Sequence, residues 1–212
     1  MGRIAGSDGA RTAAAIRRAG LRLIHKRGYG AMGLRELAAE VGIQPASLYN
    51  HIGSKQELLF ELIHEHMVSL LASARAALGA AAPQAPERLR AFVVHHVVYH
   101  LGKKAEVFVA NFELRSLEPQ AYERIVALRR AYEEMLIGVL EQGTAERCFR
   151  IPDSRIAAYA ILAMLTGSCT WYRPGGRLSR SQVAAIHAGM VLRSCGWFAD
   201  EGAEVAAGAG AR

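Results

Sequence analysis

Leu34-Arg35-Glu36-Leu37-Ala38-Ala39-Glu40-Val41-Gly42-Ile43-Gln44-Pro45-Ala46-Ser47-Leu48-Tyr49-Asn50-His51-Ile52-Gly53-Ser54-Lys55 decides the fold of this chain. Leu34, Leu37, Ala38 and Val41 share one helical face, which predicts a short helix from Leu34 to Val41. Gly42-Ile43-Gln44 makes a tight turn. Pro45 suits the first position of a second helix, where its missing N–H would be unpaired anyway. That helix is expected to run to about His51, before Gly53 breaks the chain. Two short helices across a glycine turn form a helix-turn-helix. The unit needs a small residue where its helices cross, a positive φ in the turn, and apolar plugs beyond it. Ala38, Gly42, Ile43 and Leu48 stand at those places.

Such a second helix is about 10 Å long and the major groove of B-DNA is about 12 Å wide, so it enters end-on. Its outward residues are Gln44, Pro45, Ser47, Tyr49, Asn50 and His51. Tyr49 and His51 carry neutral donors suited to phosphate oxygens. Lys55 opens the following helix, where its charge and the unbonded N–H groups both favour a phosphate. Gln44, Pro45, Ser47 and Asn50 are expected to approach base edges. Arg35 joins the DNA-facing set, and Arg3 and Arg11 add minor-groove or phosphate contacts from an N-terminal arm. The same spacing also fits a helical hairpin that only packs, so the charge of the segment matters.

The chain has 212 residues, with 26 Lys and Arg against 19 Asp and Glu, a net charge of +7. Residues 1–56 hold nine bases and three acids, or +6, leaving +1 for the remainder. A basic module on a near-neutral body points to a polyanion partner for that module. A solvated basic face is the plainer alternative on charge alone. At 51% hydrophobic and 21% charged, the composition is that of a globular protein. No apolar run reaches the roughly 18 residues of a spanning helix, so no membrane role is expected. Met1 to Ala10 lacks a signal-peptide core, which suggests a cytoplasmic protein. Three cysteines without a CxxC argue against a disulfide framework or a cysteine zinc site.

Helical periodicity dominates elsewhere. Arg11 to Arg27 predicts a helix ended by Gly28-Tyr29-Gly30. Ser54-Lys55-Gln56-Glu57 reads as a capping box opening a long helix to about Leu78. Gly79 to Pro86 reads as a linker. Further helices are expected near 87–100, 104–115, 119–142, 154–173 and 180–197, with Gly143 and Arg173-Pro174-Gly175-Gly176 at helix ends. No segment alternates like a strand, so the expected fold is all-α. The expected domains are 1–56 for DNA binding, 57–199 for effector binding and dimerisation, and a flexible tail at 200–212.

Gly28-Tyr29, Leu34-Arg35-Glu36-Leu37-Ala38, Val41-Gly42-Ile43 and Ser47-Leu48-Tyr49-Asn50-His51-Ile52-Gly53-Ser54-Lys55 resemble the N-terminal domain of TetR-family transcriptional regulators. The likeness covers residue 11 to about 65. It implies an all-helical homodimer, with three N-terminal helices on DNA and a larger C-terminal domain that dimerises and holds an effector. Family members usually carry a Thr or Ser before the second helix. Here Met32 and Gly33 stand there, which leaves backbone N–H groups for that phosphate. The usual Phe after the Tyr-x-His pattern is Ile52, a change confined to packing.

Asn111-Phe112-Glu113-Leu114-Arg115-Ser116-Leu117, Leu128-Arg129-Arg130-Ala131-Tyr132 and Trp171-Tyr172-Arg173-Pro174-Gly175-Gly176-Arg177-Leu178-Ser179 are similar to one branch of the family. That branch controls breakdown of fatty acids, sterol rings or aromatic acids and responds to CoA thioesters. The likeness implies a small apolar or acyl-CoA-type effector that releases a repressor from its operator.

Read without the family, helices 154–173 and 180–197 carry a wide apolar stripe with small residues. The stripe includes Ile156, Ala160, Met164, Gly167, Trp171, Val183, Ile186 and Met190. It fits a four-helix interface between two subunits, or else the core of a monomer. Phe108, Asn111, Phe112 and Arg115 fall near one face of a helix in the 87–142 region and, with Met164 and Trp171, are the candidate effector residues. Arg115, Arg129, Arg130, Arg173 and Arg177 are chemically suited to CoA phosphates. Each is also an ordinary surface arginine, and the aromatics are equally ordinary core residues. His96 and His100, four apart beside His95, have metal-ligand spacing, but 89–102 holds no Asp, Glu or Cys to complete a site. No catalytic or phosphate-loop motif occurs, so neither an enzyme nor a cofactor is expected.

Overall fold

A computed structural model describes residues 5–198, so Arg3 and the expected tail at 200–212 lie outside the described residues. Among the described residues there is no strand. The elements are α1 (Ala5–Arg27), α2 (Leu34–Val41), α3 (Pro45–Leu48), α4 (Lys55–Ala80), α5 (Ala85–Gly102) and α6 (Lys104–Phe112). A 3-10 turn (Leu114–Ser116), α7 (Pro119–Ala145), α8 (Ser154–Trp171) and α9 (Arg180–Ser194) follow.

The chain forms two compact units. One comprises residues through Ala72 together with Lys103–Arg130; the other comprises Ser73–Gly102 and residues from Ala131 onward. The expected boundary after residue 56 therefore falls in the first turn of α4.

In the first unit α1 buries Ile16, Ala19, Leu23 and Ile24, the stripe its periodicity predicts. Gly20 lets α1 approach α4 closely, since a Cβ there would sit 3.0 Å from Leu58 Cδ2. α1 starts at Ala5, earlier than the expected Arg11. Gly28 ends it at φ 82°, and Gly42 ends α2 at φ 76°, both in the left-handed region glycine tolerates. Leu37, Ala38 and Leu48 are fully buried, as the helix-turn-helix requires. Ile43 is only half-buried.

α3 is shorter than expected. It keeps α-helical form only over Pro45–Leu48. Beyond that, Asn50 N–H donates to Ser47 O at 3.3 Å and His51 N–H to Leu48 O at 2.9 Å, the spacing of a tightened 3-10 turn. Ile52, just beyond this turn, is buried in the core. At the start of α4, Ser54 Oγ accepts from Glu57 N–H at 2.9 Å. The Glu57 carboxylate reaches one residue past the cap to Gly53 N–H at 2.7 Å.

In the second unit α5 packs against α8 and α9. Leu89, Phe92, Val93, Leu136, Leu140, Leu165 and Val191 fill the core. The linker expected over Gly79 to Pro86 narrows to the four residues between α4 and α5. Gln142 Nε2 donates to Pro83 O at 2.7 Å and Ala85 N–H to the Glu146 carboxylate at 3.1 Å, holding that turn against α7.

Gly143 does not end α7, which continues to Ala145. The glycine is buried against the Phe149 ring, which a Cβ would strike. Its carbonyl accepts both Cys148 N–H and Phe149 N–H at 3.0 Å, and Arg147, at φ 59°, takes the left-handed position. α8 starts where expected. Asp153 accepts from Arg155 N–H at 2.8 Å and Ile156 N–H at 2.9 Å. α9 opens on a capping box between Ser179 and Gln182. Both helices end before their expected limits, because Tyr172 turns extended at ψ 134° and Gly196 takes φ 79°.

Candidate nucleic-acid interface

The helix-turn-helix presents its polar residues outward. Arg35, Gln44, Pro45, Tyr49 and Asn50 are exposed, and Ser47 and His51 are half-buried. Tyr49 is 60% exposed, unusual for a large aromatic with no partner of its own to cover it. Gln44 holds the N-cap position of α3, yet its side chain makes no cap hydrogen bond. Gly33 likewise caps α2 without a side chain. Met32 is buried in the core.

Lys55 is the first residue of α4. Its ammonium lies 4.3 Å from the centroid of the Tyr29 ring and 3.4 Å from Gly30 O. A cation over an aromatic face is held loosely, by about 1 kcal/mol at an exposed site, so a phosphate can take it over. The helix N-terminus adds partial positive charge at the same place. Arg11 is exposed on α1.

Several arginines of the basic segment are tied internally. Arg22 pairs with Glu40 at 3.0 Å, Arg27 with Glu36 at 2.5 Å, and Arg17 reaches Glu61 and Glu65 at 3.9 Å. These pairs hold α1 to α2 and to α4. The charge available to a polyanion is thus smaller than the residue count, and Arg11, Arg18, Lys26, Arg35 and Lys55 are the described bases of the segment outside these ion pairs.

Residues 16–62 match the family model described as bacterial regulatory proteins, tetR family. Residues 82–195, more than half the chain, match the model described as tetracyclin repressor-like, C-terminal domain. The chain belongs to the TetR family.

Among its relatives is the HTH-type transcriptional repressor KstR2 of Mycobacterium tuberculosis strain H37Rv. The two are 30% identical over 195 residues, covering 91% of this chain and 96% of the relative. A tetR-family bacterial regulatory protein from Rhodococcus RHA1 superposes with a TM-score of 0.81 at 31% identity, covering 89% of this chain and 98% of that one. The structure of AibR in complex with isovaleryl coenzyme A and operator DNA gives a TM-score of 0.78 at 29% identity, covering 84% and 97%. The protein is therefore a TetR-family transcriptional regulator, a class of DNA-binding proteins and not of enzymes.

The candidate effector residues of this TetR-family chain fall in both units. Phe108 meets His25 of α1 edge-on at 5.0 Å between centroids and stacks tilted on Phe112 at 4.6 Å. Asn111 is engaged twice. Its amide donates to Val107 O at 3.0 Å, and its oxygen accepts from Arg129 at 3.0 Å. Phe112 and Arg115 are exposed. In the other unit Met164 and Trp171 lie on the exposed side of α8, with Trp171 56% exposed and stacked over His187 at 6.2 Å.

His96 and His100, which have metal-ligand spacing, are built into the core. His96 is buried, with Nδ1 bonded to Tyr132 Oη at 3.0 Å and Nε2 to Thr166 Oγ1 at 3.1 Å. His100 stacks on it at 3.7 Å and donates from Nδ1 to His96 O at 2.8 Å. Both nitrogens of His96 are thus occupied by hydroxyls, and the stacked rings do not converge on a point. Among the described residues no group of three or more potential ligands gathers. Burial holds His96 well below the ordinary imidazole range, with His100, His95 and His187 adding to the shift.

Sequence reasoning missed Glu113 and Gln56. Glu113 Oε1 accepts Tyr29 N–H at 3.0 Å and its other oxygen accepts Ser116 Oγ at 3.0 Å. Gln56 Nε2 donates to Ser116 O at 2.8 Å. Periodicity carries no trace of such long-range bonds. The quoted motif did contain Tyr29, and an aromatic there was the one visible signal.

Proposed function

We propose that this regulator binds a pseudo-palindromic operator as a homodimer, acts as a repressor, and is released by an acyl-CoA-type effector. Tyr49, His51 and Lys55 anchor the phosphate backbone. Gln44, Pro45, Ser47 and Asn50 approach base edges, with Arg35 and Arg11 beside them. Residues 1–56 read DNA, and 57–199 dimerise and hold the effector. The chain carries no helix, among the described residues, long and apolar enough to cross a membrane.

The observation that carries the dimer is the outer side of α8 and α9. Ile156 is 65% exposed there, with Tyr159, Met164, Trp171, Ile186 and Met190 also exposed, beside the exposed small residues Ala160 and Ala163. A contiguous apolar face with small residues is what a helix-on-helix subunit contact buries. One helix-turn-helix reads a half-site, so a two-fold dimer matches a palindrome. We assign Met164 and Trp171 to this interface, and Phe108, Asn111, Phe112 and Arg115 to the effector side. The repressor and thioester readings are supported by the likeness to the HTH-type transcriptional repressor KstR2 and to AibR, whose structure holds isovaleryl coenzyme A and operator DNA.

The test uses the duplex that the protein itself selects from a randomised pool. Light scattering on the mixture is expected to give two chains per duplex. Adding a series of acyl-CoAs, with free CoA and free acids as controls, is expected to release the DNA at one chain length or ring type. A single chain per duplex defeats the dimer; release by free CoA as readily as by thioesters defeats the effector class.

A further inference from the structure

We propose that Glu113 is a positioning residue for DNA binding, setting the platform from which Lys55 meets a phosphate. This inference rests on the reading of Lys55 given above.

The bonds form a closed path within one compact unit. Glu113 follows α6, and its two carboxylate oxygens accept Tyr29 N–H and Ser116 Oγ. Gly28, at φ 82°, passes so near that a Cβ would lie 3.4 Å from Glu113 Oε1, so the turn after α1 is shaped around this carboxylate. The Tyr29 ring then lies under the Lys55 ammonium at 4.3 Å. On the other side, Gln56 bonds Ser116 O at 2.8 Å and receives Glu118 N–H at 3.4 Å. The residue under Lys55 and the residue after it are thus both tied to the segment 113–118. Lys55 itself is not bonded to that segment, so its placement is inherited from it.

Charge makes the proposal decidable by sign. Glu113 is an acid in a segment that meets a polyanion. If it were only a surface charge, removing it would tighten DNA binding. If it positions Lys55, removing it weakens binding.

The experiment measures affinity of the full-length protein for its selected duplex and for an unrelated duplex across a salt series. Glu113→Ala is expected to weaken both by roughly three- to tenfold and to flatten the salt slope by up to about 0.9, one phosphate's share. Glu113→Gln keeps an acceptor for Tyr29 N–H and is expected within about twofold of the parent. Tyr29→Leu removes the ring and leaves the N–H and the lysine charge; it is expected to weaken binding and flatten the slope part of the way toward Lys55→Ala, and carries the test should Glu113→Ala fold poorly. In a Lys55→Ala background, Glu113→Ala is expected to add nothing. Binding by Glu113→Ala that equals or exceeds the parent overturns the proposal. So do losses that add fully to Lys55→Ala, or an unaltered slope in Tyr29→Leu. A Lys55→Ala protein with unchanged slope instead overturns the reading of Lys55 beneath it.

Discussion

Lys55 rests on the Tyr29 ring, which in the proposed reading orients it toward a phosphate. Replacing it by alanine is expected to lower affinity alike for all duplexes and to flatten the salt slope by about 0.9, measured by fluorescence anisotropy across a salt series. Asn50→Ala is expected to behave differently, costing about 1–3 kcal/mol on the selected duplex and little on an unrelated one. Gly42 carries a separate constraint. At φ 76° it has open space around its Cβ position, so Gly42→Ala meets strain and no clash. A loss of about 1 kcal/mol in urea unfolding is expected.

At the scale of elements, α2 was legible because its bounds are set by neighbours in sequence. Four apolar positions, Gly33 before the helix and Gly42 after it all act within ten residues. α3 was legible in place and not in length, because the turn that ends it adjoins Ile52, whose burial is decided by the core and not by local preference. Gly143 was misread for the same reason. As a letter it resembles a helix stop, whereas in space it is the gap that admits the Phe149 ring. Gly143→Ala is accordingly expected to lose about 1–3 kcal/mol by overpacking, with the loss eased by Phe149→Leu. For α8, Ile156→Glu places a charge on the exposed apolar side at a position 65% exposed. The folded monomer is expected to tolerate it, while sedimentation shows the dimer failing and operator affinity falling with it.

At the scale of the molecule, buried histidines make the fold sensitive to acid. His66 is lowered from 6.5 to about 4 by burial first and then by Lys103 and Arg129, and burial lowers His96 as well. A depressed histidine is neutral in the folded chain and protonates readily once unfolded. Its contribution is therefore whole above about pH 6.5 and drains away as pH falls toward 4, at about 1.4 kcal/mol per pH unit for each such residue. The urea midpoint is expected to fall steeply between pH 6.5 and pH 4, and His66→Phe is expected to soften that fall. A flat profile would contradict it. The helix-turn-helix was legible from spacing because it is a local device. The Glu113 and Gln56 bonds were not, since their partners stand 84 and 60 residues away and only the folded chain brings them together.

The arginines paired with Glu36, Glu40, Glu61 and Glu65 have a consequence for how this regulator searches a chromosome. Side chains shared with their own carboxylates release fewer counterions when the protein touches a random stretch of duplex. Fewer loose charges mean shorter residence on the wrong sites, while groove contacts at the right one are untouched. Neutralising Glu36 and Glu40 would set two arginines loose, and the variant would crowd onto bulk DNA and find its own promoter less often.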